Sequence, residues 1–177
     1  QKLENYTTLS RDRITAVNFI TGSDKTTSMM TDEGGYPIYG EMVGTTVNIY
    51  TRGDKFLVNL SPYVLSVPYS APEEVKGYFE GCTSLRSLDL RSWDTSISDN
   101  MSRTFLNCNS LQTVDVSSFD TRNVIEMQYM FSDCQSLTNI DLSSFETPNL
   151  ISMDNMFANH NLRLEPKLER LDLSNFD

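Results

Sequence analysis

The chain has 177 residues, a length that suits one domain with a continuous hydrophobic core. Its 24 acidic and 14 basic residues give a formal net charge of −10. Nucleic acid is therefore a disfavoured partner, because phosphate binding depends on clusters of lysine and arginine. No apolar run approaches the roughly 20 residues that cross a membrane, and the polar start at Gln1 does not resemble a signal peptide.

Residues 1–72 do not repeat and predict a small β-rich N-terminal cap. Four alternating or apolar runs predict strands, which we expect to be mostly antiparallel: ITAVNFI at Ile14–Ile20, YPIYGEM at 36–42, TTVNIYT at Thr45–Thr51 and KFLVNL at 55–60. Residues 61–72 contain three prolines and predict an extended lead into the next region. A cap is needed there because the first unit of a repeat array otherwise exposes its core to water.

From residue 73 to residue 177 the sequence repeats about four times, and the last copy is incomplete. Phe79, Phe105, Phe131 and Phe157 stand 26 residues apart. A fixed period of this length indicates an array in which each unit buries its apolar side only against its neighbours. The fourth copy carries extra residues before its final segment, LERLDLSNFD.

Each repeat has three parts, and together they predict an α/β solenoid. A run such as Leu85-x-x-Leu88-x-Leu90 predicts a strand of a parallel sheet with alternate side chains facing inward. A corner follows, with an aromatic residue and an acidic residue–threonine pair. The last part, Val124-x-x-Met127-x-x-Met130-Phe131 in the second copy, has helical spacing and predicts a short helix on the opposite face.

Three cysteines are an odd number, which excludes a complete set of internal disulfides. Cys82, Cys108 and Cys134 occupy one register of successive repeats. We therefore predict a structural ladder of buried, reduced thiols, because free cysteine behaves as a small hydrophobe.

The polar residues that alternate with the inward-facing ones are the predicted partner-binding surface. These candidates are Ser87, Asp89, Arg91, Thr113, Asp115, Ser117, Asn139, Asp141, Ser143, Arg170 and Asp172. Stacked aspartates repel one another by roughly 1 kcal/mol per pair in water. Three explanations for the aspartate row remain as alternatives: local hydrogen bonds that shape the fold, contact with a partner, and calcium binding. Calcium has the weakest support because no DxDxDG loop is present, and no metal site is predicted.

Catalysis has little support in the sequence. It contains no GxSxG, HExxH, P-loop or GxGxxG motif. His160, the single histidine, replaces cysteine in the fourth repeat, and a Cys134–His160 nucleophile lacks an orienting third group. We predict a protein that is not an enzyme and that needs no cofactor.

The repeat units resemble a known family. LDLRSWDTS, VDVSSFDTRNV, IDLSSFETPNL and LDLSNFD, three of them preceded by C-x-SL, are similar to the 26-residue surface-protein repeat of the BspA-like leucine-rich-repeat group of bacterial cell-surface proteins. The resemblance implies a leucine-rich-repeat-like, right-handed coil and a secreted or surface-exposed bacterial protein.

The resemblance also implies adhesion or protein–protein binding through the strand face, with a host matrix or bacterial envelope protein as the partner. The alternative is a structural spacer or a self-assembling surface array without a dedicated ligand. Such an array would associate through the edge strand of the last repeat.

Overall fold

The computed structural model describes residues 14–20, 28–31, 37–43, 46–51, 56–58, 77–161, 163 and 165–176. The strands, in chain order, are β1 (Ala16–Ile20), β2 (Ser28–Thr31), β3 (Pro37–Val43), β4 (Thr46–Thr51), β5 (Phe56–Leu57), β6 (Ser87–Asp89) and β7 (Trp93–Asp94). The predicted extended segment 61–72 and the boundary between residues 72 and 73 lie outside the described residues.

The non-repeating region and the first repeat share one five-stranded sheet, in the order β2-β3-β4-β1-β6. The four predicted strands are confirmed as β1, β3, β4 and β5, whereas β2 was not predicted. The antiparallel expectation holds for β3 with β2 and with β4, but β1 runs parallel to both β4 and β6. A second pair, β5 with β7, is also parallel. The N-terminal strands therefore continue into the repeats through backbone hydrogen bonds.

The prediction of a helix-bearing α/β solenoid is wrong. The part of the chain that the structure describes contains no helix, and its small sheet does not curl around the repeats. Of the LxxLxL runs, only the first contains a described strand, β6. The inward and outward alternation is nevertheless present: Leu111, Val114 and Val116 are buried, whereas the side chains between them are exposed. The periodicity predicted correctly which side chains are buried, but it did not predict the secondary structure.

The predicted helices fail because their N–H groups bond forward to the next repeat. A helix requires the N–H of each residue to bond the carbonyl four residues earlier. Instead, Met127 N donates to Ser152 O at 2.8 Å, Tyr129 N to Asp154 O at 3.0 Å and Phe131 N to Met156 O at 2.8 Å. We call this region of each repeat, residues 99–107, 125–133 and 151–159, the turn side.

Left-handed residues occur at matching positions of the turn side. Tyr129 and Asp133 have φ of 57° and 58°, values that a non-glycine residue adopts at a cost of about 1–2 kcal/mol. Their counterparts in the other repeats are Arg103, Asn107 and Asn155, with φ of 62°, 62° and 57°. These residues interrupt any helix and turn the intervening N–H groups towards the following repeat.

Two columns of stacked aromatic rings run through the repeats. Phe79, Phe105, Phe131 and Phe157 form the first, with successive ring centroids 5.6, 5.1 and 5.3 Å apart. Trp93, Phe119, Phe145 and Phe176 form the second, at 6.1, 6.5 and 6.1 Å. The phenylalanine period of the sequence is therefore the distance along the chain between one layer of the stack and the next.

Buried threonines join the corners of neighbouring repeats. The Thr121 hydroxyl donates to Glu146 O at 2.8 Å and accepts from Glu146 N at 2.9 Å. Thr95 makes the same pair of bonds to Asp120 O and N, at 3.2 and 2.9 Å. One side chain thus satisfies both a donor and an acceptor of the next corner, which explains why a threonine follows the acidic residue in each complete repeat.

Replacement of Thr121 by valine should destabilise the fold. Valine keeps the shape but removes both hydrogen bonds and leaves the Glu146 N–H and carbonyl without this partner, at a cost of roughly 1–3 kcal/mol. Urea denaturation followed by circular dichroism measures the change. Thr113→Val is the matched control, because Thr113 is exposed, and its free energy of unfolding should stay within about 0.5 kcal/mol of the parent. Equal stabilities for the two variants would contradict the role of Thr121.

Candidate interaction surface

The predicted partner-binding residues lie on the outside of the stack. All are exposed except Asp89, which is half-buried. Adjacent repeats are held in register beside them, since Thr138 N donates to Gln112 O at 3.0 Å and Asn175 Nδ2 donates to Leu142 O at 2.9 Å. We call this set of residues the polar strip. It is an exposed face of irregular backbone in the later repeats rather than the face of a continuous parallel sheet.

The polar strip continues onto the N-terminal sheet, which the sequence did not indicate. In the strand register Asn18 lies opposite both Asp89 and Asn48, and Asn18 Nδ2 donates to Asn48 Oδ1 at 2.9 Å. Two amides therefore precede the row of carboxylates. Alternation within ITAVNFI and TTVNIYT places these asparagines on one face of each strand, but only the pairing of β1 with β6 brings them beside Asp89.

Each aspartate of the polar strip closes a tight local turn. Oδ1 of Asp89, Asp115, Asp141 and Asp172 accepts the backbone N–H two residues later, at 3.2, 3.0, 2.9 and 3.0 Å. This is the Asx-turn geometry that aspartate favours. The local role considered in the sequence analysis is therefore present in all four repeats. Within the described residues, no group of three or more histidine, cysteine, aspartate or glutamate side chains is placed to hold a metal ion.

The same bonds lower the pKa of the carboxylates. The side-chain hydrogen bond from Arg91 lowers the pKa of Asp89 most, and the Ser117 hydroxyl does the same for Asp115. Backbone N–H groups at Ser143 and Ser174 lower the pKa of Asp141 and Asp172. The four carboxylates thus carry their negative charge at neutral pH, in spite of their alignment.

Arg91 forms a bidentate ion pair with Asp89. Its Nε and Nη2 donate to Oδ1 and Oδ2 at 2.9 and 2.6 Å. The guanidinium side is largely exposed, so solvent screens this ion pair and its contribution to stability is small. In contrast, the hydrogen bonds of Asp115 all end on Oδ1, from the backbone and hydroxyl of Ser117. Among the described residues, Oδ2 of Asp115 has no hydrogen-bond partner, so it is able to accept from a ligand.

The three cysteines are buried and form no disulfide bond, and they occupy one register of the stack. The Cys108 thiol donates to Phe79 O, and the Cys134 thiol donates to Phe105 O, both at 3.2 Å. Burial raises the pKa of Cys134 to about 12. The Cys108 and Cys134 thiols therefore connect their own repeats to the preceding ones, and the raised pKa makes Cys134 a poor nucleophile.

His160 does not complete a catalytic triad. Its Nδ1 lies 2.9 Å from Asp133 Oδ2 and 3.3 Å from Ser132 Oγ, so one ring nitrogen faces both groups. A triad needs the serine and the carboxylate on opposite nitrogens. Ser132 is also fully buried and donates to Ala158 O. The hydrogen bonds among Ser132, Asp133 and His160 connect the start of the fourth repeat to the third repeat.

Residues 73–176 match the model of a family described as a Mycoplasma protein of unknown function, DUF285, and the chain belongs to this family. No curated protein matches the chain, and no solved structure does so either. The described ranges contain no helix with the length and apolar character needed to cross a membrane.

The polar strip should make the protein less stable in acid. A carboxylate whose pKa is lowered by folding contributes stability above its usual pKa of 3.8, and this contribution is lost as the pH falls through the folded value. We expect the free energy of unfolding to fall as the pH drops from about 5 and passes through the lowered pKa values of these carboxylates. The Asp89→Asn, Asp115→Asn double variant keeps the turn acceptors and should show a shallower decline in denaturation measured across this range. An equal slope in parent and variant would exclude the strip as the source.

The three cysteines of the ladder should not react with thiol reagents in the folded protein. At pH 8 the Cys134 thiol, with a pKa of about 12, is almost wholly protonated, and the thiolate is the reactive form. Ellman's reagent should find no rapidly reacting thiol in the native protein and should find Cys82, Cys108 and Cys134 after unfolding in urea. Rapid modification of any of the three in the native state would show that the ladder is open to solvent.

Proposed function

We propose that this protein is a non-enzymatic binding module, secreted or exposed at the surface of a bacterium, that binds another protein through the polar strip. The single observation that carries the proposal is the alignment of exposed Asp115, Asp141 and Asp172 with polar neighbours along one side of a rigid stack. Rigid scaffolds that present aligned side chains bind with little loss of conformational freedom. The resemblance to bacterial surface repeats supports the location and the adhesive role.

The chemistry of the strip favours a partner with a basic or hydrogen-bond-donating face. The low pKa of the aspartates keeps them ionised, and the net charge of −10 adds a long-range attraction for cations. Arg91 is already paired with Asp89, so the middle of the strip, around Asp115 and Asp141, is the more negative part. Complementary charges mainly raise the association rate, and this effect weakens as salt is added.

Binding to purified matrix and envelope proteins tests the proposal. The Asp115→Asn, Asp141→Asn double variant should weaken binding of a positive partner by about tenfold, which corresponds to about 1.4 kcal/mol, and should flatten its salt dependence. The matched control is Asp99→Asn, Asp154→Asn, which removes the same charge from exposed residues of the turn side. The control should bind like the parent.

Two results would overturn this assignment. One is a binding partner whose affinity falls equally in both double variants, since this would point to net charge rather than to the strip. The other is a partner that binds the strip variant as tightly as the parent.

A further inference from the structure

A polar cleft of about 210 Å³ lies at the corner between the second and third repeats. The polar side chains that line it are Ser118, Asp120, Arg122, Ser144 and Glu146. Clefts that enclose drug-sized ligands measure roughly 300–1,000 Å³, so this cleft has room for a single long side chain or a molecule of similar size. It borders the polar strip, because Ser118 and Ser144 directly follow Ser117 and Ser143.

The carboxylate of Glu146 lacks the local bond that its counterparts in the earlier repeats make. Asp94 and Asp120 each accept a hydrogen bond at Oδ1 from the backbone N–H two residues later, at 3.1 and 3.2 Å. The residue two positions after Glu146 is Pro148, which has no N–H to donate. Among the residues that the structure describes, no group donates a hydrogen bond to the side chain of Glu146.

The backbone on both sides of this carboxylate is joined to the second repeat. The N–H and the carbonyl of Glu146 both bond the Thr121 hydroxyl, at 2.9 and 2.8 Å. Three residues later, Asn149 Nδ2 donates to Arg122 O at 2.8 Å. A side chain on a backbone held in this way loses little conformational freedom when it binds a ligand.

Arg122 is bonded to Asp120 and not to Glu146. Its Nε and Nη2 donate to Oδ1 and Oδ2 of Asp120 at 2.9 and 2.5 Å. These bonds raise the pKa of Arg122 most, and the charge of Glu146 nearby adds a smaller increase. One guanidinium and two carboxylates leave one net negative charge, so the cleft favours a cation and disfavours an anion.

The hydroxyl of Ser144 is a further acceptor in the cleft. Its counterparts bond the repeat before their own: Ser118 Oγ donates to Leu90 O at 2.8 Å, and Asn175 Nδ2 donates to Leu142 O at 2.9 Å. Ser144 Oγ makes no such bond within the described part of the chain. A cation in the cleft therefore finds a hydroxyl oxygen as well as a carboxylate.

We propose that this corner cleft binds the guanidinium group of an arginine side chain that belongs to the protein partner. Both oxygens of Glu146 accept from the guanidinium, and Ser144 Oγ accepts a further N–H. The paired donors of a guanidinium match the two oxygens of a carboxylate, whereas an ammonium is a point charge. The protein uses the same pairing internally, where Arg103 Nε and Nη2 donate to the two oxygens of Glu80 at 3.1 and 2.7 Å.

The inference deepens the proposed function, because it names an anchor residue of the basic partner, and it rests on that function for the partner being a protein. The cleft can nevertheless be tested by itself with N-acetyl-arginine N-methylamide, a capped arginine without free termini. Titrated into the ¹⁵N-labelled protein at physiological salt, this probe should shift the resonances of the Ser144 and Glu146 amides and of Arg122 Nε–H until they saturate. Glu146→Gln should weaken binding by about fivefold or more.

A second variant separates the free carboxylate from its charge. Glu146→Asp, Pro148→Ser copies the sequence of Asp94–Ser96, in which the aspartate bonds the serine N–H. It retains the negative charge but should engage the carboxylate locally, and it should therefore lose capped-arginine binding by a similar factor. Amide spectra that are unchanged outside the cleft would show that both variants are folded.

Glu169→Gln is the matched control, because it removes the same charge from an exposed residue of the fourth repeat. This control and the Asp115→Asn, Asp141→Asn variant of the polar strip should bind capped arginine like the parent, so the cleft and the strip fail separately. Capped lysine should bind about fivefold more weakly than capped arginine.

Four results would overturn the proposal. The first is the absence of a saturable shift, and the second is equal binding by the Glu146→Gln and Glu169→Gln variants. The third is equal binding of capped lysine and capped arginine. The fourth is tighter binding of free arginine than of capped arginine, since the ligand would then be the amino acid rather than a side chain of a protein.

Discussion

The register between successive repeats is the constraint on which the structure depends. At the junction of the first two complete turn sides, Met101, Arg103, Phe105 and Asn107 donate their N–H groups to carbonyls 25 residues later, at 2.9–3.0 Å. The two left-handed residues in each of these two turn sides oppose this arrangement by about 2–4 kcal/mol per repeat. Burial of one phenylalanine and one methionine contributes about 3–6 kcal/mol, and the hydrogen bonds add to it. These contributions offset the cost of the left-handed residues, and the N–H groups bond the next repeat instead of forming the helix that the methionine and phenylalanine spacing alone favours.

This register also produces the polar strip. A displacement by one residue would move the aspartates off their common face and the phenylalanines out of their columns. The register that buries the apolar residues in the core therefore also aligns the exposed residues of the polar strip. The charged carboxylates tolerate the alignment because each accepts a hydrogen bond from a backbone N–H group. Arg91 and the Ser117 hydroxyl stabilise the charges of the first two repeats further.

The junction with the N-terminal strands explains one departure from the repeat. Trp93 occupies the corner position that phenylalanine fills elsewhere, and its ring packs edge-on against Phe19 at 4.9 Å and Tyr78 at 5.1 Å. The larger indole fills the space between the first repeat and β1. Its Nε1 is buried and has no hydrogen-bond partner among the residues that the structure describes, an arrangement that costs about 1–3 kcal/mol. The aromatic contacts of this junction offset that cost.

The sequence by itself determined the repeat length, the residues that face inward and the outward position of the aspartates. These properties follow from the periodic pattern of apolar and polar residues. Any array of stacked repeats needs that pattern in order to bury its core, whatever its backbone conformation. The sequence also located four of the N-terminal strands, since alternation over five to seven residues is a local signal. Only the tertiary structure decided whether residues 124–131 form a helix or turns that are hydrogen-bonded to the next repeat. These N–H groups bond carbonyls 25 residues later, and the spacing of neighbouring residues does not predict such long-range bonds. The pairing of Asn18 with Asp89 was likewise set by which segments meet in space.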